Sequence, residues 1–89
     1  GIISELYRLI LYKRQAEDTE LKFLLSGDQD KLLKKLGGEI TNTIIASKNG
    51  EKEKVLHEMA DLWYHCLVLL AYHNITPEEL LRELGGKRA

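Results

Sequence analysis

Apolar residues recur along this chain at intervals of three and four, with polar residues between them. Ile2, Ile3, Leu6, Leu9 and Ile10 open the pattern and predict a first helix over about residues 2–15, with Glu5, Arg8 and Lys13 on its other side. Tyr7 and Tyr12 read as packing residues. Leu21, Phe23, Leu24 and Leu25 predict a short second helix, capped by Asp18 and broken at Ser26-Gly27. Asp28 then offers a side-chain oxygen to the free first-turn amides of a third helix, about residues 29–49. The expected apolar stripe of that helix is Leu33, Leu36, Ile40, Thr43 and Ile44, widened by Leu32 and Ile45. Gly37-Gly38 inside it costs about 1 kcal/mol per glycine relative to alanine. The pair therefore predicts a kink, or a place where another backbone or a ligand comes close.

Asn49-Gly50 signals a turn, and with no alternating flanks it joins helices rather than strands. The fourth helix, about residues 51–73, is the most apolar. Val55, Met59, Leu62, Cys66 and Leu69 form one stripe; Leu56, Ala60, Trp63, Leu67 and Leu70 form a second. Glu58, Asp61, His65 and Tyr72 occupy the remaining face. So wide an apolar surface belongs to a central helix, in its own domain or at a subunit interface. It predicts a homodimer or higher oligomer, with helices 3 and 4 at the interface of a bundle. His73 suits the negative end of this helix dipole. Thr76 is then the N-cap of a fifth helix, with Pro77 at its first position and Glu79 completing a capping box. Ile75 and Leu80 form the hydrophobic staple, Leu80, Leu81 and Leu84 the apolar face, and Gly85 the end. No strand-like alternation or internal repeat appears. The class is all-α, a helical bundle built on a central antiparallel helix hairpin and completed by dimerisation.

Composition narrows the function. The 89 residues suffice for one small domain, 1–89, and a 44% apolar content excludes disorder. Thirteen basic and fourteen acidic residues nearly cancel, which argues against a nucleic-acid partner. The basic tail Gly-Gly-Lys-Arg-Ala reads as a solvated end. The lone Cys66 excludes an intramolecular disulfide and reads as a small buried hydrophobe, in keeping with a reducing cytoplasm. The first fifteen residues lack a basic start and a small-residue cleavage site, so no signal peptide is expected. No apolar run reaches about 18 residues, so no membrane span is expected.

The candidate chemistry lies around the turn. Glu39 and Asp61 each lie eleven residues from Gly50, and Asn42 and Glu58 each lie eight. In an antiparallel hairpin these side chains share two heights only ~4–5 Å apart, at 1.5 Å of rise per residue. Three carboxylates and an amide oxygen so close require a cation, or a proton on one of them. A salt-bridged helix face is the plainer alternative. His57, Asp61 and His65 also share a face, at i, i+4 and i+8, and offer a Zn²⁺ reading, although two turns is a long span for one tetrahedral ion.

The stretch KLLKKLGGEITNTIIASKNG, followed by VLHEMADLWYHCLVLLAYHNI, resembles the phosphoribosyl-ATP pyrophosphohydrolases of histidine biosynthesis, within the all-α, MazG-like nucleotide pyrophosphohydrolases. The resemblance covers about residues 28–84. Its specific parts are Lys34-Lys35 before Gly-x-Glu, Ala46-Ser47-Lys48-Asn49, and Glu58-x-x-Asp61-Leu62-x-Tyr64-His65. It implies Mg²⁺-dependent hydrolysis of phosphoribosyl-ATP to phosphoribosyl-AMP and pyrophosphate. Glu39, Glu58 and Asp61 would be the catalytic metal ligands, Asn42 a weaker neutral ligand, and Lys34, Lys35 and Lys48 the phosphate contacts. The family pattern is Glu-Glu-x-x-Glu on the first hairpin helix, and here Gly38 and Asn42 replace the first and third acids. The family's Ser-Tyr-Thr segment is absent from the Asp18–Leu25 region. The alternatives are a catalytically inactive helical oligomer of the same fold, or a pyrophosphohydrolase for another nucleoside triphosphate.

Overall fold

Two helix ends around the central hairpin are built from the same backbone motif. At the first, the Gly50 N–H donates to the Ser47 carbonyl and the Glu51 N–H to the Ala46 carbonyl, both at 3.1 Å. Gly50 takes φ = 69°, the left-handed conformation that glycine adopts without a Cβ penalty. At the second, Asn74 takes φ = 56°, while Asn74 and Ile75 donate to the carbonyls of Ala71 and Leu70. Asparagine tolerates this conformation because its short polar side chain bonds locally.

The computed structural model describes residues 1–16, 19–26 and 28–88. Its helices are α1 (Ile2–Gln15), α2 (Thr19–Leu25), α3 (Asp30–Lys48), α4 (Lys52–Tyr72) and α5 (Pro77–Gly85), followed by a 3-10 turn, Gly86–Arg88. There is no strand among the described residues. The expected cap Asp18 and the breaker Gly27 lie outside the described residues, as does the Phe23 side chain. Asp28 acts as expected, its Oδ1 accepting the Asp30 N–H at 3.0 Å. The capping box of α5 is complete. Thr76 Oγ1 accepts the Glu79 N–H at 3.3 Å, and Glu79 Oε2 accepts the Thr76 N–H at 2.8 Å. Gly85 is the last α5 residue, and the chain tightens into the 3-10 turn rather than stopping there.

The hairpin of α3 and α4 is the most extensive helix pair. Helix α1 packs on α4, α2 closes over both and over α3, and α5 returns to α1. The core joins Tyr7 and Ile10 of α1, Leu21 and Leu24 of α2, Leu32 and Leu36 of α3, and Leu67, Val68 and Ala71 of α4. Arg14 ties the layers by donating from Nη1 to the Ala71 carbonyl at 3.1 Å.

The inner faces differ from the expected stripes. On α3 the inward seam is Leu32, Leu36, Glu39, Thr43 and Ala46, in steps of four and three. Leu33, Ile40, Ile44 and Ile45 are exposed. The seam keeps Leu36, Thr43 and Leu32 of the expected set but is centred roughly 70° away from it about the helix axis. On α4 the fully buried residues are Val68 and Ala71, in neither expected stripe. They continue the face of Asp61, Tyr64, His65 and Tyr72. Leu56, Met59, Ala60, Trp63 and Cys66 stand exposed, so Cys66 is not the buried residue its apolar neighbours suggested. Tyr12 is also exposed, whereas Tyr7 packs in the core. Helix α3 runs unbroken through Gly37-Gly38, and a Cβ added at either would meet nothing within 4 Å. Neither the kink nor a close backbone approach occurs among the described residues. No described helix is long and apolar enough to cross a membrane.

Candidate functional site

The inward turn of α3 places a carboxylate in the helix seam, and α4 answers it with an imidazole. Glu39 Oε2 lies 3.0 Å from His65 Nδ1, and the two side chains are only 12% and 13% exposed. The same Nδ1 lies 3.0 Å from the Asp61 carbonyl oxygen, one turn back on α4. The second oxygen of Glu39, Oε1, is buried and has no hydrogen-bond partner among the described residues. Burying an unpaired polar atom costs roughly 1–3 kcal/mol, and more when it is charged. An orphaned carboxylate oxygen is a ready ligand for a hard cation, which binds through oxygen.

Glu39 thus meets His65, one helical turn beyond Asp61. Equal distance from a turn sets the height of a side chain, but not its angle about the helix axis. Asp61 points aside, half exposed, with His57 Nε2 3.5 Å from its Oδ2. Glu58 is half-buried and Asn42 exposed. Among the described residues, no three His, Cys, Asp or Glu side chains are gathered closely enough to hold a metal ion. That holds for the Glu39, Glu58 and Asp61 set and for the His57, Asp61 and His65 alternative. In the latter, the His65 Nδ1 is engaged by Glu39 and by the Asp61 backbone. The acidic residues supply the right donor chemistry on facing helices, with Oε1 of Glu39 unsatisfied; drawing them onto one ion requires side-chain rotation. Lys34, Lys35 and Lys48 are exposed on α3, as is Gly38.

The residue pattern offers His65 to a zinc ion and does not pair it with Glu39. The available signal was the four-three spacing of Leu32, Leu36, Glu39, Thr43 and Ala46, which makes Glu39 a seam residue. A cavity of about 80 Å³ adjoins His65, lined also by Lys13, Glu20, Leu21, Leu24 and Tyr64. Although the Cys66 residue is exposed, partial burial of its thiol first and the Glu39 carboxylate second push its pKa up from the ordinary value.

The sequence comparisons agree with this architecture. The family model for phosphoribosyl-ATP pyrophosphohydrolase matches residues 3–88. A phosphoribosyl-ATP pyrophosphatase of Pelotomaculum thermopropionicum is 45% identical over 89 residues, spanning 98% of this chain and 91% of the relative. That of Methylococcus capsulatus is 47% identical over 87 residues, spanning 92% and 83%. That of Nitrosomonas eutropha is 41% identical over 85 residues, spanning 93% and 73%. A helix hairpin with a seam carboxylate, a family match over nearly every residue and relatives of this similarity have one reading: the chain belongs to the phosphoribosyl-ATP pyrophosphohydrolase family, a family of hydrolases.

Proposed function

We propose that this chain hydrolyses phosphoribosyl-ATP between its α- and β-phosphates, giving phosphoribosyl-AMP and pyrophosphate in the cytoplasmic synthesis of histidine. The observation that carries the proposal is the buried, unpartnered Oε1 of Glu39 on the helix facing Glu58 and Asp61, in a chain of this family. Glu39, Glu58 and Asp61 would hold a divalent cation, Mg²⁺, with the amide oxygen of Asn42 as a neutral fourth ligand. Such an ion would supply charge neutralisation for the phosphates and a lowered pKa for water there. The exposed ammonium groups of Lys34, Lys35 and Lys48 attract the polyphosphate to α3. Gly38 and Asn42 withhold two negative charges from the site, so its affinity for the cation is reduced.

The active form is a homodimer of the 1–89 domain. Two apolar grooves, of about 400 and 420 Å³, share Ile3 of α1 and Trp63 and Leu67 of α4. Leu56 is 73% and Trp63 59% exposed in the single chain. A second copy would cover this surface. Light scattering that finds a monomer at high micromolar concentration removes the dimer from the proposal.

The test of the activity is pyrophosphate release from phosphoribosyl-ATP and from a panel of nucleoside triphosphates, each with Mg²⁺ and with chelator. Mg²⁺-dependent release confined to phosphoribosyl-ATP is the expected result. Release from another triphosphate alone would reassign the substrate. The exposed, uncharged positions Gly38 and Asn42 favour a second reading, an inactive helical oligomer, which predicts no release under any condition.

A further inference from the structure

The bond between His65 and Glu39 is directional, and its direction follows from the third group present. Nδ1 of His65 lies 3.0 Å from both Glu39 Oε2 and the main-chain oxygen of Asp61. A carbonyl oxygen only accepts, so the hydrogen between it and the ring belongs to Nδ1. That one N–H is shared between the Asp61 carbonyl, which anchors the ring to its own helix, and Oε2 of Glu39, across the seam. The ring is therefore fixed in tautomer and rotation, and the carboxylate it holds is fixed with it. One Glu39 oxygen is consumed by this bond, while Oε1, buried, has no partner among the described residues.

From this we infer that His65 is a positioning residue: its Nδ1–H clamps Oε2 of Glu39 and leaves Oε1 as the single atom through which Glu39 meets a divalent cation. The inference rests on the metal-binding reading proposed above. A carboxylate free to rotate in the seam would present either oxygen, both, or neither, at an entropic cost on binding. The clamp removes that cost, as partners behind a ligand generally do, and losing such a partner costs about 10–100-fold in metal affinity. A purely structural pair would instead join α3 to α4 and have no effect on an ion.

The experiment measures Mn²⁺ binding, by electron paramagnetic resonance of the free ion, to the parent protein and to His65→Leu, His65→Asn, His65→Gln and Glu39→Gln. Thermal unfolding in chelator is recorded for each. The asparagine amide reproduces a donor near Nδ1; the glutamine amide reaches nearer to Nε2. We expect His65→Leu and His65→Gln to weaken Mn²⁺ binding about tenfold or more. His65→Asn should remain within about threefold of the parent, because the donor behind Oε2 is kept. Adding His65→Leu to Glu39→Gln should bring no further loss. Parent-like binding by His65→Leu overturns the inference, as does equal loss in the Asn and Gln variants. Should the Leu variant fail to fold, the Asn and Gln pair carries the same decision. A parent that binds no Mn²⁺ at millimolar concentration defeats the metal reading and the clamp together. A parent that binds, with indifferent His65 variants, defeats the clamp alone.

Discussion

Gly38→Glu puts a carboxylate back at an acidic position of the family pattern, and the structure sets what that should do to stability. Position 38 lies in the interior of α3, its φ is not in the left-handed region, and an added Cβ meets nothing within 4 Å. The substitution therefore gains helix propensity without strain, about 0.6–0.8 kcal/mol. Lys34 and Lys35 precede it by four and three residues and add attraction. That attraction is at the low end of about 0.2–0.5 kcal/mol per pair, because the lysines lie N-terminal to the acid. Glu39 is the next residue and does not face position 38 on a helix. The sum is roughly 1 kcal/mol, or about 4–8 °C in melting temperature for a domain of 60–100 residues. Circular dichroism melts in chelator measure it, with Gly38→Ala as the control that gains propensity but no charge. In millimolar Mg²⁺ the Glu variant should gain more than the parent gains, and the Ala variant should gain only as much as the parent. A melting temperature that falls in chelator for both variants would refute the reasoning, because it would mean that something outside this chain lies against the Gly38 backbone. A second copy in the proposed dimer is the first suspect, and a concentration-dependent loss of association would accompany the fall.

Asn42→Glu should bind Mg²⁺ more tightly than the parent, seen as a larger Mg²⁺-induced rise in melting temperature. Because Asn42 is exposed, the change should be nearly silent in chelator, rather than destabilising as a buried patch would require. Thr76→Ala breaks the capping box at its longer bond, 3.3 Å, and should cost about 0.5–2 kcal/mol in denaturant unfolding; an unchanged midpoint would mean that the cap contributes nothing. Stability should also fall in alkali. Burial raises the Tyr7 phenol above its ordinary 10.0, with Arg14 opposing, and raises the Cys66 thiol above 9.0, with Glu39 adding. Both groups keep their protons longer when folded, so their contribution is complete below the unfolded pKa values and is lost as pH rises through the folded ones. Melting temperature should hold at neutral pH and decline from about pH 9, and Cys66→Ala should remove the earlier part of that decline.

Helix number, order and class were legible in the chain because they rest on local physics. Apolar spacing of three and four, the Asn49-Gly50 turn and the Thr76-Pro77-x-Glu79 box each act within a few residues. The family was legible too, from an ordered run of residues about the hairpin. Rotation of the helices was not. Leu33 and Leu32, or Ile40 and Glu39, differ by about 100° about the helix axis, and hydrophobicity alone favoured the more apolar set. Tertiary packing chose the other face. Leu32, Leu36 and Ala46 are buried and Glu39 and Thr43 partly so, while Val68 and Ala71 are the fully buried residues of α4. The richer apolar faces were left outward, as a surface a second copy would cover. The same rotation decided the partner of Glu39. Counting residues from Gly50 pointed to Asp61, since height along a helix can be read from sequence. The angle around it depends on every contact in the seam, and that angle gave the carboxylate to His65 instead.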